Sequence, residues 1–79
     1  MHYVYVLRSQ VDKSLYIGST SDVKQRLNDH NSGSVRYTKS KRPYEIVWYC
    51  AFLSKTKALE FEKYLKHGSG HAFMNKRFL

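Results

Sequence analysis

The chain has 79 residues, with 14 Lys and Arg against 6 Asp and Glu, a formal charge of +8 and 15% aromatic residues. That length gives room for a single domain over residues 1–79 with one small core, since a chain of this size buries only about 60% of its extended-chain surface. One cysteine, Cys50, excludes an internal disulfide framework and a cysteine-based zinc site. The longest apolar stretches, such as Tyr3 to Leu7, fall far short of the roughly 20 residues of a membrane span. Met1-His2-Tyr3 does not open a signal-peptide pattern, so the expectation is a soluble, cytoplasmic domain.

A strong positive balance favours polyanions, and nucleic acid is the commonest of them. A membrane surface would call for a basic amphipathic helix beside an exposed apolar face, whereas these charges are spread along the chain. The densest group, Arg36, Lys39, Lys41 and Arg42, lies in a polar segment with Tyr37 and Tyr44 interleaved. Basic and aromatic side chains together suit a phosphate backbone with exposed bases. The plainer reading of each such residue, Lys24 included, is a solvated charge.

His2 to Arg8 is rich in β-formers and is expected as a strand. Gln10 to Lys13 ends it, and Ser14 to Ser19 supplies a second strand that closes an antiparallel hairpin. Burial sets the register: Val4 and Val6 share a face with Leu15 and Ile17, which leaves Tyr3, Tyr5, Leu7, Tyr16 and Gly18 together on the other. Ser19 to Asp22 offers N-cap oxygens for a helix to about Asn31, with Val23 and Leu27 as its apolar stripe. Arg26 and His30, four residues apart, fall beside that stripe and should look towards the sheet. Asn31 to Pro43 is expected as a long polar loop, functional or mobile.

Tyr44 to Phe52 is expected as a third strand, apolar on both faces and therefore central. Ser54 or Thr56 caps a second helix to about His67, stopped by Gly68 and Gly70, with Ala58, Leu59, Phe61 and Leu65 as its apolar arc. Glu62 sits inside that arc. His71 to Leu79 is a short third helix or a frayed tail. The expected class is α/β of the α+β kind, in the order ββαβαα, with helices flanking a three-stranded antiparallel sheet.

No Walker loop, GxGxxG, HExxH or CxxC pair occurs, and His2, His67 and His71 have no trustworthy metal-ligand spacing. What remains is Glu62 among apolar residues, the Arg26–His30 pair, and Tyr5 and Tyr16 on a common sheet face. Glu62 is a candidate ligand for one Mg²⁺ or Mn²⁺ ion, which needs only one or two carboxylates; the alternative is a pair with Lys66 or an arginine. Arg26 can clamp two phosphate oxygens, or be an ordinary surface arginine. His30 can exchange a proton near neutrality, or be a satisfied structural histidine. For the two tyrosines the alternative is an aromatic cover for the core. A free phenol, with a pKa of about 10, is a poor base at neutral pH, and a nearby cation such as Arg26 or the metal is expected to lower that value.

Tyr3-Val4-Tyr5, Tyr16-Ile17-Gly18, Arg26-x-x-x-His30 and Ala58-x-x-x-Glu62, in that order, resemble the GIY-YIG nuclease superfamily, nearest to its small stand-alone bacterial members. The likeness runs from Tyr3 to about Lys66 and departs from the pattern at Tyr3, which stands in place of the family's glycine. The resemblance implies a metal-dependent DNA endonuclease, with a place in DNA repair or recombination; no sequence-reading helix with an obvious base code is present in the sequence, so low sequence specificity is expected. Tyr5 would then be the base acting on water, Tyr16 a positioning group, Arg26 the phosphate clamp, His30 an active-site residue and Glu62 the metal ligand. Gly18 would let backbone or phosphate approach closely, and Tyr3 and Asn75 would support the site. Lys24, Arg36, Lys39, Lys41 and Arg42 would contact the DNA backbone. Two rival readings are a non-cleaving nucleic-acid-binding module and an interaction domain recruited by a larger DNA-processing protein.

Overall fold

The computed structural model of the chain describes residues 1–67. In chain order it contains β1 (His2–Ser9), β2 (Leu15–Thr20), α1 (Val23–Ser32), a short 3-10 helix (Lys39–Lys41), β3 (Tyr44–Phe52) and α2 (Lys55–Leu65). The expected segment from His71 to Leu79, and the glycine stop at Gly68 and Gly70, lie outside the described residues.

The β1–β2 turn is held by Asp12, whose Oδ1 accepts from the Ser14 amide at 3.0 Å and the Ser14 hydroxyl at 2.6 Å. It fixes an antiparallel register in which Val6 faces Ile17, Tyr5 faces Gly18 and Leu7 faces Tyr16. This is the register that burial of Val4, Val6 and Ile17 demands, because a slip of one residue would turn those side chains outward.

The strand order is β2-β1-β3, all antiparallel, so β1 is central and β3 is an edge strand. That corrects the expectation for β3. The strand with both faces fully covered is β1, where Val4 and Val6 point one way and Tyr5 and Leu7 the other. β3 earned its two-faced apolar pattern differently. A bulge between its pairings with Val6 and Leu7 puts Val47 and Trp48 into one cluster while Ile46 packs in the other. Tyr49 on the same strand remains 57% exposed.

Each helix covers a different face. Ala58 and Leu65 of α2 pack against Val4, Val6 and Ile17, whereas Val23 and Leu27 of α1 pack against Tyr5, Leu7 and Tyr44. Asp22 caps α1 by accepting from the Gln25 amide, and Gly33 ends it with φ of 85°, a conformation that costs a residue with a Cβ. Ser54 caps α2, accepting from the Lys57 amide. Leu59, expected in the buried arc of α2, is exposed; the arc that packs is Ala58, Phe61 and Leu65.

The segment after α1 is tied down rather than loose. The Ser9 hydroxyl donates to the Lys41 carbonyl at 2.6 Å, and the Gln10 amide donates to the Pro43 carbonyl at 2.9 Å. Asn31 clamps its far end: the side-chain amide donates to the Tyr44 carbonyl at 3.1 Å and its oxygen accepts the Tyr44 amide at 2.7 Å. Thr38, in the middle of this basic loop, is fully buried.

Candidate active site

β1 carries the Tyr5 phenol under α1, and β2 supplies Tyr16 and Gly18 beside it. A Cβ at position 18 would fall 2.6 Å from Tyr5 Cζ and 3.2 Å from Tyr16 Cε1, so the tyrosine rings occupy space that only a glycine leaves open. The helical spacing of Arg26 and His30 brings both side chains down over this face. His30 is completely buried, with Nε2 3.1 Å from Tyr5 Oη and Nδ1 2.7 Å from Thr38 Oγ1. Its ring meets Tyr16 edge-on at 4.8 Å and lies 6.0 Å from the Tyr44 ring.

Arg26 lies close enough to the Tyr5 phenol for its charge and hydrogen bonding to act on it, and reaches Asp29 Oδ2 at 3.9 Å. Its side chain is 38% exposed, leaving part of the guanidinium open to an incoming anion. Hydrogen bonding with Tyr5 raises the Arg26 pKa further, so the guanidinium stays charged.

Burial pushes the Tyr5 pKa above the usual phenol value, outweighing the nearby Arg26 charge that pulls it down; Tyr16 and Glu62 push the same way as burial. This corrects the expectation that a cation would lower it. The desolvation of a buried phenol wins over a guanidinium that is itself partly in water. Burial also depresses the His30 pKa, helped by the Arg26 charge and opposed by Asp29. At neutral pH the pair is therefore a neutral phenol hydrogen-bonded to a neutral imidazole.

Glu62 sits on α2, on the opposite side of the sheet from α1, so the tyrosine face and both helices do not form one simple cleft. Its side chain is 18% exposed and its carboxylate accepts from Lys66 Nζ at 2.7 Å, the pairing the sequence left open as an alternative. Its charge nevertheless bears on the Tyr5 phenol. Among the described residues no group of three or more His, Cys, Asp or Glu could hold a metal together. A single carboxylate oxygen suits Mg²⁺ or Mn²⁺ that keeps most of its waters, and the ammonium of Lys66 already places a cation there.

The structure thus brings together Tyr5, Tyr16, Gly18, Arg26 and His30, with Glu62 in electrostatic reach. Tyr3 does not join them: its ring packs 6.2 Å from Tyr49, and it shares a separate groove with Lys24 near the start of α1. Arg36, Lys39, Lys41 and Arg42 are exposed on the loop after α1. Two of these also serve the fold, Lys41 through Asp12 Oδ2 at 3.2 Å and Arg42 through its guanidinium against Gly33. Asn75 lies outside the described residues.

Sequence reasoning missed Thr38, which touches His30; Tyr37, noted there among the basic residues, is 82% exposed with its ring centroid 6.0 Å from that of Tyr16. Tyr37 and Tyr16 line a shallow groove at the β2 edge with Leu15, Ile17 and Lys66. A lone threonine in a basic loop carries no periodicity that could have pointed to its partner.

Comparison with known proteins agrees with this layout. The profile of the GIY-YIG catalytic domain, a nuclease-type domain, matches residues 1–76. A UPF0213 protein of Bacillus pumilus is 44% identical over 62 residues, covering 77% of this chain and 62% of the relative, so the chain spans less than two thirds of that relative's length. The UPF0213 protein OB0043 of Oceanobacillus iheyensis is 38% identical over 66 residues, covering 82% of this chain and 76% of the relative. The solution NMR structure of the UPF0213 protein BH0048 from Bacillus halodurans superposes with a TM-score of 0.58 at 39% identity, covering 94% of this chain and 79% of that one. Among the described residues no helix is long and apolar enough to cross a membrane. With four motif elements on the expected strands and helices and a profile match over nearly its whole length, the chain belongs to the GIY-YIG catalytic domain family.

Proposed function

We propose that this domain is a divalent-metal-dependent endonuclease that hydrolyses phosphodiester bonds in DNA with little sequence specificity. The observation that carries the reading is the Tyr5 phenol in contact with the His30 imidazole and under the influence of the Arg26 guanidinium. A buried phenol with a proton acceptor against it and a fixed cation nearby suits the activation of water against a phosphate.

Arg26 receives the phosphate oxygens and neutralises charge as the pentavalent transition state forms. Tyr5 Oη takes a proton from the attacking water while yielding its own to His30 Nε2. The resulting hydroxide attacks phosphorus in line, and the 3′ oxygen leaves and is protonated from solvent. The opposed pKa directions at Tyr5 and His30 keep this transfer uphill at rest, so it proceeds only together with attack. Tyr16 positions the water, and the bare backbone at Gly18 makes room for the phenol. Lys24, Arg36, Lys39, Lys41 and Arg42 contribute charge along the DNA backbone, a sequence-independent attraction. A Mg²⁺ or Mn²⁺ ion held by Glu62 would add positive charge at the phosphate and at the departing oxygen.

Nicking of supercoiled plasmid by the full chain, with and without chelator, tests this. Wild type is expected to nick in Mg²⁺ or Mn²⁺, and Glu62→Ala and chelated wild type are expected not to. The Lys66 ammonium on Glu62 favours a second reading, a nucleic-acid-binding module that does not cleave. DNA binding that survives chelation, with no nicking in either ion, selects that second reading.

A further inference from the structure

Thr38 is a fully buried polar side chain to which the chemistry above gives no role. It lies in the basic loop, and its Oγ1 stands 2.7 Å from His30 Nδ1 and 3.4 Å from the Val35 carbonyl oxygen. The Val35 carbonyl only accepts, so a hydroxyl hydrogen directed at it leaves a lone pair of Oγ1 facing Nδ1. In that arrangement Nδ1 donates. A neutral imidazole has a single N–H, so placing it on Nδ1 leaves a lone pair on Nε2, the atom facing Tyr5 Oη.

The other end of the chain of contacts demands the same polarity. A guanidinium has no acceptor, so Arg26 beside the phenol can only donate to Oη. Within hydrogen-bond distance of Oη, His30 Nε2 is the acceptor that the described residues provide for the phenolic hydrogen. Were Nε2 to carry the proton, Oη would face two donors and its own hydrogen would have no acceptor within reach among the described residues. A stranded buried donor is unfavourable, which sets the same polarity as Thr38 does.

We infer that Thr38 is a positioning residue of this site, holding His30 as the Nδ1–H tautomer so that Nε2 stays open to the proton of Tyr5. Its consequence for turnover rests on the endonuclease reading; the tautomer does not. Nothing periodic connects the two residues, and their meeting depends on how Ser9, Asn31 and Gly33 fasten the loop that carries Thr38.

The test is a ¹H–¹⁵N correlation spectrum of the His30 ring in the full chain, run on wild type, Thr38→Val and Thr38→Ser. Wild type and Thr38→Ser should show a protonated Nδ1 and an unprotonated Nε2. Thr38→Val keeps the shape and removes the hydroxyl; its Nε2 should gain N–H character. If Thr38→Val does not fold, Thr38→Cys, with its similar volume and weakly bonding thiol, carries the same comparison. On plasmid substrate the valine variant should lose about 10–100-fold in kcat with KM changed little, the size of effect seen when a group behind a catalytic or ligating histidine is removed. Thr38→Ser should recover most of it. A wild-type ring protonated on Nε2, or a folded Thr38→Val with the wild-type tautomer, overturns the inference. Absence of cleavage by wild type overturns the endonuclease reading and leaves the ring spectrum to decide the role of Thr38.

Discussion

The Tyr5 ring lies where residue 18 would carry its side chain. Directly across the β1–β2 ladder, an added Cβ at Gly18 would come within 2.6 Å of Tyr5 Cζ. Tyr5 is only 2% exposed and is wedged between Tyr16 and His30, so it has no free space to retreat into. Gly18→Ala should therefore displace the phenol from His30 and cost about 1–3 kcal/mol, as overpacking of a filled site does. Urea unfolding measures the loss, and a nicking assay should show turnover falling further than the unfolded fraction accounts for. Unchanged stability together with unchanged nicking would mean that the Tyr5 ring swings aside freely and that its position is not set by Gly18.

Tyr5→Phe separates chemistry from packing at the same place. The ring and its contacts remain, while the donor to His30 is lost. Turnover should fall by about 10²–10⁴-fold, the range ascribed to a positioned acid or base, with DNA affinity at fixed salt nearly unchanged. Equal losses in binding and turnover would assign Tyr5 a packing role.

The acid limit of stability should carry the signature of His30. Its pKa lies below the ordinary imidazole value of 6.5, because burial and the Arg26 charge oppose the imidazolium. As pH falls through 6.5 the unfolded chain takes up a proton that the folded chain refuses, so stability declines towards the depressed value. Tyr5 and Tyr44, both raised chiefly by burial, act in the opposite direction: above 10.0 the unfolded chain gives up protons that the folded chain keeps. Stability should thus be greatest between these limits and fall on both sides. Urea midpoints across pH measure the profile, and NMR titration of the His30 ring should give a midpoint under 6.5. A midpoint at or above 6.5 in folded protein would contradict the burial argument.

Much of the geometry can be read directly from residue order. The hairpin register follows from Val4, Val6 and Ile17 needing one side, and that alone gathers Tyr5, Tyr16 and Gly18 on the other. The i, i+4 spacing of Arg26 and His30 places both over them. The pattern in β3 misleads for a physical reason: apolar residues on both faces fit an edge strand equally well when a helix covers each side. Its bulge at Val47 moves Ile46 to the opposite cluster from Trp48, which strict alternation cannot anticipate. Thr38 is out of reach of any such reasoning, because its contact with His30 is made by an irregular loop whose path is set by scattered hydrogen bonds. For Glu62, helical spacing permits a Lys66 pair and a metal alike, and the choice depends on which cation is present.

Asn31 is one of the residues on which that loop path depends. It both donates to and accepts from the Tyr44 backbone, at 3.1 and 2.7 Å, linking the end of α1 to the first residue of β3. Tyr44 in turn packs 6.0 Å from His30. Asn31→Ala leaves the Tyr44 amide without this acceptor in a largely buried place, a cost of about 1–3 kcal/mol. Local loosening should exceed the global effect, since the other ties, from Ser9 to Lys41 and from Gln10 to Pro43, keep the sheet in place while this one is lost. Hydrogen exchange at the Tyr44 and Thr38 amides should accelerate more than at Val4 or Val6 in the centre of the sheet. If all four amides accelerated by the same factor, Asn31 would be contributing to overall stability without holding the loop over the site.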